Sequence, residues 1–366
     1  MPNADQQQLM IALLVPKHDT VAEWQKWRAS TDLDTIDLRT QRLIPLLHER
    51  LSGKDRRHGD KGSYRGVHRY WWLRNGRLRL QLAELIAMLG GAVVDECLIL
   101  GGIALVDDVY ASLATRPVIG VDLMIRAQGV PAATGALRLI GFRSADCRAA
   151  AIEPPWLVSL TWRQSEYLLR SQDRGDLRLS WTAFGGEFDI EGLWHRAEER
   201  RIGGARALKL GATGSLLQIC VGGVRWSDVR PLRWVPDAFL LIHTHDIEWD
   251  QLIDQARHNG LALPLSVALN YLSATFGASV SASVLSRFPA LPVSQRDIQR
   301  HRARTTGTRD FRWRRAVHML NRYRPRRKVS SQGSLLHFVR IMRSRSVEPG
   351  QITSRANKFD GHRGAS

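Results

Sequence analysis

The sequence has few cysteines and no long apolar run. It contains three cysteines in 366 residues, Cys97, Cys147 and Cys220, and no two of them have CxxC spacing. An odd count without that spacing argues against a disulfide framework and a structural zinc site. No apolar run approaches the ~20 residues that a membrane span needs, and the N-terminus lacks the basic start of a secretory signal. With a hydrophobic fraction of 44%, the sequence predicts a soluble cytoplasmic protein with packed cores.

Acidic residues are scarce near the C-terminus. The formal net charge is +18, and residues 291–366 alone hold 19 Lys and Arg against 4 acids. The remainder of the chain is therefore nearly neutral. Clustered basic residues bind phosphates in a salt-dependent way, which predicts nucleic acid or another polyanion as a partner of this segment. The alternative is a solvated basic face on a helical extension.

The hydrophobic pattern predicts an α+β fold. Short apolar strands in CLILGG and VIGVDLMI alternate with helical stretches such as VPAATGALRLIGF, and GEFDIEGLW (residues 186–194) alternates like a further strand. Longer helical patterns lie on both sides. The pattern divides the chain into an N-terminal helical region (1–90), an α/β core (91–200), a helical domain (201–290) and a basic, partly helical extension (291–366).

The predicted core carries groups suited to phosphate and metal binding. Gly101 and Gly102 form a turn between a strand and a helix, where backbone N–H groups can approach a phosphate closely. Asp122 and Asp189 each lie on a predicted strand nearby. Carboxylates beside a phosphate site can hold Mg²⁺, which prefers oxygen ligands and binds substrate phosphates as well. This combination favours nucleotidyl transfer.

Several motifs also occur in the order and spacing of a known family. These are LGGIAL at the turn, RPVIGVDLMI on the next strand, LRLIGF at a helix end, and EWDQLIDQARHNGLALPLSVAL in the later helical part. Over about residues 24–288 the chain resembles the uncharacterised bacterial nucleotidyltransferases of the polymerase-beta-like superfamily. The resemblance implies a polymerase-beta-like core, which is a small mixed sheet with helices, flanked by N- and C-terminal helical regions.

The resemblance also assigns roles to residues. It implies that Asp122 and Asp189 are the catalytic, metal-ligating carboxylates and that Mg²⁺ is the cofactor. It implies that Gly101, Gly102 and Arg116 bind the nucleoside triphosphate.

Two positions depart from the family pattern. The family carries paired carboxylates at i and i+2 on one strand, and here the first of the pair is Gly120. The lysine that the family has at the turn is Gly101 in this chain. Glu191 is an alternative to Asp189 as the third carboxylate.

The sequence leaves open whether the protein is an active enzyme. One hypothesis is Mg²⁺-dependent transfer of a nucleoside monophosphate to an unknown hydroxyl acceptor, weakened by Gly120. The resemblance places that acceptor in polysaccharide or peptide natural-product biosynthesis. The alternative is a catalytically inactive scaffold that binds a nucleotide or a partner, with the basic C-terminal segment binding a polyanion.

Overall fold

The computed structural model describes residues 2–15, 19–52, 61–90, 96–144, 166–172, 174–182, 190–202, 204–224 and 232–305. The chain divides into two units, Met1–Thr306 and Gly307–Ser366. All of the described residues belong to the first unit. Of the basic segment 291–366, only the part up to residue 305 is therefore described.

Among the described residues up to Gly90, the helices are α1 Ala4–Leu14, α2 Thr20–Ser30, α3 Leu38–Gln41, α4 Ile44–Leu51 and α5 Lys61–Leu89. Polar side chains fix their starts. The Asn3 side chain accepts a hydrogen bond from the backbone N–H of Gln6 in a capping box, and Asp19 caps α2 through the N–H of Val21.

In the part of the chain that the structure describes, seven strands form one mixed sheet in the order β3-β4-β5-β2-β1-β7-β6. The strands are β1 Cys97–Leu100, β2 Gly120–Ile125, β3 Arg143–Ser144, β4 Glu166–Ser171, β5 Gly175–Ser180, β6 Ala197–Ile202 and β7 Ala205–Leu210. The central strand β2 is antiparallel to β1 and parallel to β5, and β1 is parallel to β7.

The remaining helices of the described residues are α6 Gly101–Val109, α7 Val130–Leu139, α8 Glu191–His195, α9 Ala212–Gly223, α10 Trp234–Thr244, α11 Trp249–His258, α12 Ala262–Phe276, α13 Ala282–Arg287 and α14 Gln295–Thr305. A three-residue 3₁₀ helix, Ala127–Gly129, precedes α7. Helix α12 ends at Gly277, which adopts a left-handed conformation with φ 69°.

Two large cores and one small one hold these elements together. The N- and C-terminal helices share the first core, in which Leu9, Leu47, Leu217 and Leu265 are fully buried. The second core packs the C-terminal half of α5 with α6 and α7 on one face of the sheet. The other face carries a small cluster under α8, made of Leu98, Met124, Leu193, Trp194 and Leu210. This lightly covered face has room for a site.

The structure confirms the predicted α+β class and a mixed sheet flanked by helices. CLIL, the helix after it, VIGVDLMI and the following helix all form as expected. The strand prediction for GEFDIEGLW is wrong in its second half, because Glu191–His195 is helical, and residues 186–189 lie outside the described part. The sheet also continues past residue 200, since β7 pairs with β1.

Within the described residues, no helix combines the length and apolar character that crossing a membrane requires.

Candidate functional site

Asp122 lies in the middle of the sheet, on its lightly covered face. Along β2 it alternates with the buried residues Val121 and Leu123, so its side chain points away from the second core, to which those two residues belong. It stands beside Leu100 of β1 and Arg178 of β5. Its side chain is 33% exposed, and its Oδ1 lies 3.7 Å from Nε of Arg178. An aspartate is tolerated in this apolar strand because its face is open to solvent.

The Gly101–Gly102 turn lies directly against Asp122 and Arg116. Gly101 has φ 66°, and a Cβ built there would overlap Oδ2 of Asp122. A Cβ built at Gly102 would overlap Nη1 of Arg116. Glycine is therefore required at both positions for the two side chains to reach the turn. The N–H of Gly101 donates to Oε1 of Gln218 at 3.2 Å.

Arg116 is held in a buried ion pair. Its Nε and Nη2 donate to the two oxygens of Asp237, each at 2.7 Å, and the Tyr110 hydroxyl donates to the same carboxylate at 2.6 Å. Burial by itself lowers the pKa of Arg116, but the charge of Asp237 and its hydrogen bonds outweigh burial and raise it. Burial and Asp237 raise the pKa of Tyr110. Among the described residues Nη1 of Arg116 has no hydrogen-bond partner, and it faces Gly102.

A buried amide holds the segment that leads into β2. Asn75 of α5 is fully buried, and its Nδ2 donates to the carbonyls of Leu113 and Arg116 at 2.5 and 2.8 Å. Its Oδ1 accepts from the N–H of Val118 at 3.2 Å. Arg116 therefore stands where it does because α5 and α10 fix its backbone and its side chain.

Gly120 has no space for a side chain. A Cβ built there would lie 2.5 Å from the carbonyl oxygen of Asp176 and 3.2 Å from its Cβ. Restoring the family's first carboxylate by substitution at Gly120 would therefore require β5 to move. The carboxylate that stands beside this position belongs to Asp176 itself, which pairs with Gly120 across the two strands.

Sequence reasoning missed Asp176 and Arg178. Both lie on β5, which pairs with β2, and both share the face of Asp122. Asp176 is bound by Arg170 of β4 at 3.1 Å, as Asp122 is faced by Arg178. The alternation of Leu177 and Leu179 with charged residues would have predicted this strand, but no local pattern says which strand lies beside β2.

The predicted third carboxylate is not placed at the site. Asp189 lies outside the described residues. Its alternative, Glu191, begins α8 and forms an ion pair with Arg126 at 2.8 Å, beyond the far end of β2. The guanidinium of Arg126 also lies over the ring of Trp194, 4.9 Å from its centre.

The described residues supply only some of the ligands that a magnesium ion needs. They contain no group of three or more His, Cys, Asp or Glu side chains arranged to hold a metal. Asp122 and Asp176 provide two carboxylates on adjacent strands, and each already faces an arginine. Magnesium usually binds through one or two carboxylates and takes its other ligands from water and substrate phosphates. The site therefore fits an ion that arrives with a nucleotide better than one that is bound beforehand.

A cavity of about 690 Å³ opens elsewhere on the protein, between α8 and α11. Arg196, Gln251 and His258 are among the residues that line it. The residues predicted for the site do not line it.

Comparison with known proteins gives one family match. Residues 35–277 match the model of a family described as uncharacterised nucleotidyltransferase. The match spans α3 through α12 and includes every described residue of the site. No curated protein and no solved structure matches the chain.

Proposed function

The chain belongs to this family of uncharacterised nucleotidyltransferases, and from that premise we propose that it binds a nucleoside triphosphate beside Asp122 and transfers the nucleoside monophosphate to a hydroxyl. The observation that carries the proposal is the convergence of Asp122, Gly101, Gly102 and Arg116. They come from β2, from the start of α6 and from the segment before β2, and the Gly101–Gly102 turn lies against the side chains of both Asp122 and Arg116.

Each group has a distinct task in this proposal. The Nη1 of Arg116 and the N–H groups that follow Gly101 at the start of α6 bind phosphate oxygens, because both present positive charge at the turn. Asp122 and Asp176 hold Mg²⁺, and Asp189 remains a predicted further ligand. When bound, Mg²⁺ neutralises charge on the phosphates. Transfer joins the acceptor oxygen to the α-phosphorus and breaks the bond from that phosphorus to the oxygen that bridges the α- and β-phosphates. Pyrophosphate leaves with the bridging oxygen, and the proton of the acceptor hydroxyl passes to solvent.

A second candidate is a protein that binds the nucleotide without transferring it. Arg178 favours this candidate, because a guanidinium 3.7 Å from Asp122 competes with a metal ion for the carboxylate. The close packing of Gly120 against Asp176 also favours it, since the family's first carboxylate cannot be accommodated there.

A pyrophosphate-release assay separates the two candidates. The protein would be incubated with each nucleoside triphosphate, Mg²⁺ and a set of hydroxyl acceptors such as glycerol, sugars and serine-containing peptides. If the protein transfers the nucleotide, turnover should fall at least about 100-fold in Asp122→Asn and by a smaller factor in Asp176→Asn. Binding without turnover by any acceptor supports the second candidate.

The matched control is Glu199→Gln. Glu199 is a half-exposed carboxylate on β6 of the same sheet, paired with Arg206 at 3.4 Å. Its loss removes the same kind of ion pair far from β2 in the strand order. If Glu199→Gln lowered turnover as much as Asp122→Asn, the assignment of Asp122 would be wrong.

A further inference from the structure

Two arginines from separate elements, Arg74 and Arg233, bond to the segment that leads into β2, and the charge of a third, Arg42, is coupled to both. Arg42 lies between α3 and α4, Arg74 lies on α5, and Arg233 immediately precedes α10. Arg233 donates through Nη1 to the carbonyl of Pro117, and Arg74 donates through Nη2 to the carbonyl of Ile119 at 3.5 Å. Two guanidiniums therefore lie along one side of the same short segment.

The charges of these arginines act on one another. Burial and then the charge of Arg74 lower the pKa of Arg42. Burial, and then the charges of Arg116 and Arg42, lower the pKa of Arg233 to about 9. Arg74 is exposed, but Arg42 and Arg233 are partly desolvated, and like charges that are partly desolvated destabilise a protein unless an anion compensates them.

No carboxylate in the described part of the chain forms an ion pair with Arg42, Arg74 or Arg233. The charge of Asp237 raises the pKa of Arg233 and so favours its charged form. Both oxygens of Asp237 are already bound by Arg116, however, and one of them also by Tyr110. The partners that Arg74 does have are neutral, namely the hydroxyl of Tyr70 and the carbonyl of Ile119. The cluster therefore carries uncompensated positive charge.

One donor of the cluster is also orphaned. Nε of Arg233 is buried and lacks a hydrogen-bond partner among the described residues. Buried N–H groups are nearly always paired, so an orphan of this kind points to a bound group.

We propose that Arg42, Arg74 and Arg233 form a second anion site, which binds a phosphoryl group. A phosphoryl group suits the site because it carries up to two negative charges and three oxygens, and guanidinium forks pair with such oxygens in a bidentate way. The ring of Trp71 lies 5.4 Å from the Arg74 guanidinium and helps to orient it.

The phosphoryl group has two possible sources, the triphosphate of the nucleotide and a phosphate on the acceptor. The segment that the arginines flank runs from Arg116 to Gly120, which are both site positions, and this proximity along the chain makes both sources candidates. Assigning the group to one of these sources rests on the proposed function, whereas the anion site itself does not.

The test is calorimetric titration of the full-length protein with inorganic pyrophosphate and, separately, with inorganic phosphate. We expect Arg42→Gln and Arg74→Gln each to weaken binding at least about tenfold, the factor that corresponds to one charge-assisted hydrogen bond. The control is Arg77→Gln, an exposed arginine on the same helix as Arg74, which should leave the affinity unchanged. Thermal unfolding of each variant verifies that it is folded.

Equal affinities in Arg74→Gln and Arg77→Gln, or no binding of either anion by the wild type, would overturn the proposal. Titration with ATP then identifies the source. If Arg74→Gln weakens the binding of ATP as much as the binding of pyrophosphate, the site takes the nucleotide's own phosphates. If Arg74→Gln leaves the affinity for ATP unchanged, and phosphate still binds to the ATP-saturated wild type, the site takes an acceptor phosphate. If the anions bind but ATP does not, the proposed function fails while the anion site stands.

Discussion

At the scale of single residues, the site depends on positions where a side chain is missing. Gly101 and Gly102 admit Asp122 and Arg116 to the turn, and Gly120 admits the backbone of β5. The sequence predicted Asp122 as a site residue because an acid inside an apolar strand is unusual. It did not predict Asp176, Arg178 or Asp237, because their roles come from contacts between residues far apart in the chain.

Gly120→Ala should destabilise the protein by about 1–3 kcal/mol, because its Cβ would press on the carbonyl of Asp176. Urea denaturation measures the free energy of unfolding. The control is Gly135→Ala, an exposed helical glycine with nothing within 4 Å of a built Cβ, which should stabilise the protein by about 0.5–1 kcal/mol. Equal effects at the two positions would show that β2 and β5 do not approach so closely.

The buried thiol of Cys97 should make stability depend on alkaline pH. Burial raises its pKa from 9.0 to about 11, so the folded state favours the neutral thiol. Its contribution is complete below pH 9 and is lost as the pH rises through 11, and the loss amounts to about 2–3 kcal/mol. The cavity left in Cys97→Ala lowers stability at every pH, so its free energy of unfolding should fall less steeply over this range. Parallel curves for wild type and variant would contradict the burial of this thiol.

At the scale of elements, α5 joins the two large cores. Its N-terminal half packs with the helices through Tyr64, and its C-terminal half packs on the sheet through Leu82 and Leu85. Between these halves Asn75 holds the segment before β2. Local patterns predicted β1, α6, β2 and α7, because each has a clear hydrophobic period and a turn. The second half of GEFDIEGLW was wrongly predicted as a strand, because a short amphipathic helix can show the same alternation of apolar and polar residues.

Asn75→Ala should cost about 3 kcal/mol of stability, because it leaves a buried N–H and two carbonyls without their partner. It should also weaken nucleotide binding, since the backbone of Arg116 loses its support. Denaturant unfolding and ATP titration measure the two effects. Asn270→Ala removes an exposed asparagine from α12 and should change stability by less than about 0.5 kcal/mol. A small effect of Asn75→Ala on both measurements would refute the role of this amide.

At the scale of the whole molecule, the excess positive charge and the described helices and strands lie mostly in different parts of the chain. The described unit ends near residue 306, whereas most of the excess positive charge lies in residues 291–366. The sequence predicted helical regions around the sheet, but not that the N- and C-terminal helices would share one core. That arrangement depends on contacts between described residues that lie far apart in the chain.

Removing residues 307–366 should abolish retention on heparin at moderate salt, because most of the clustered basic residues are lost. The structure favours this boundary over residue 291, since α14 packs against α12. The truncated protein should unfold cooperatively and bind ATP as the full chain does. Undiminished retention would assign polyanion binding to the first unit instead.

The most direct test of the central claim is calorimetric titration with ATP and GTP, with and without Mg²⁺, on the wild type and on Asp122→Asn. The account predicts nucleotide binding that Mg²⁺ strengthens in the wild type, and loss of that strengthening in the variant. It also predicts no measurable binding of Mg²⁺ alone. Nucleotide binding that is the same in both proteins, or absent from the wild type, would contradict a nucleotide site at Asp122.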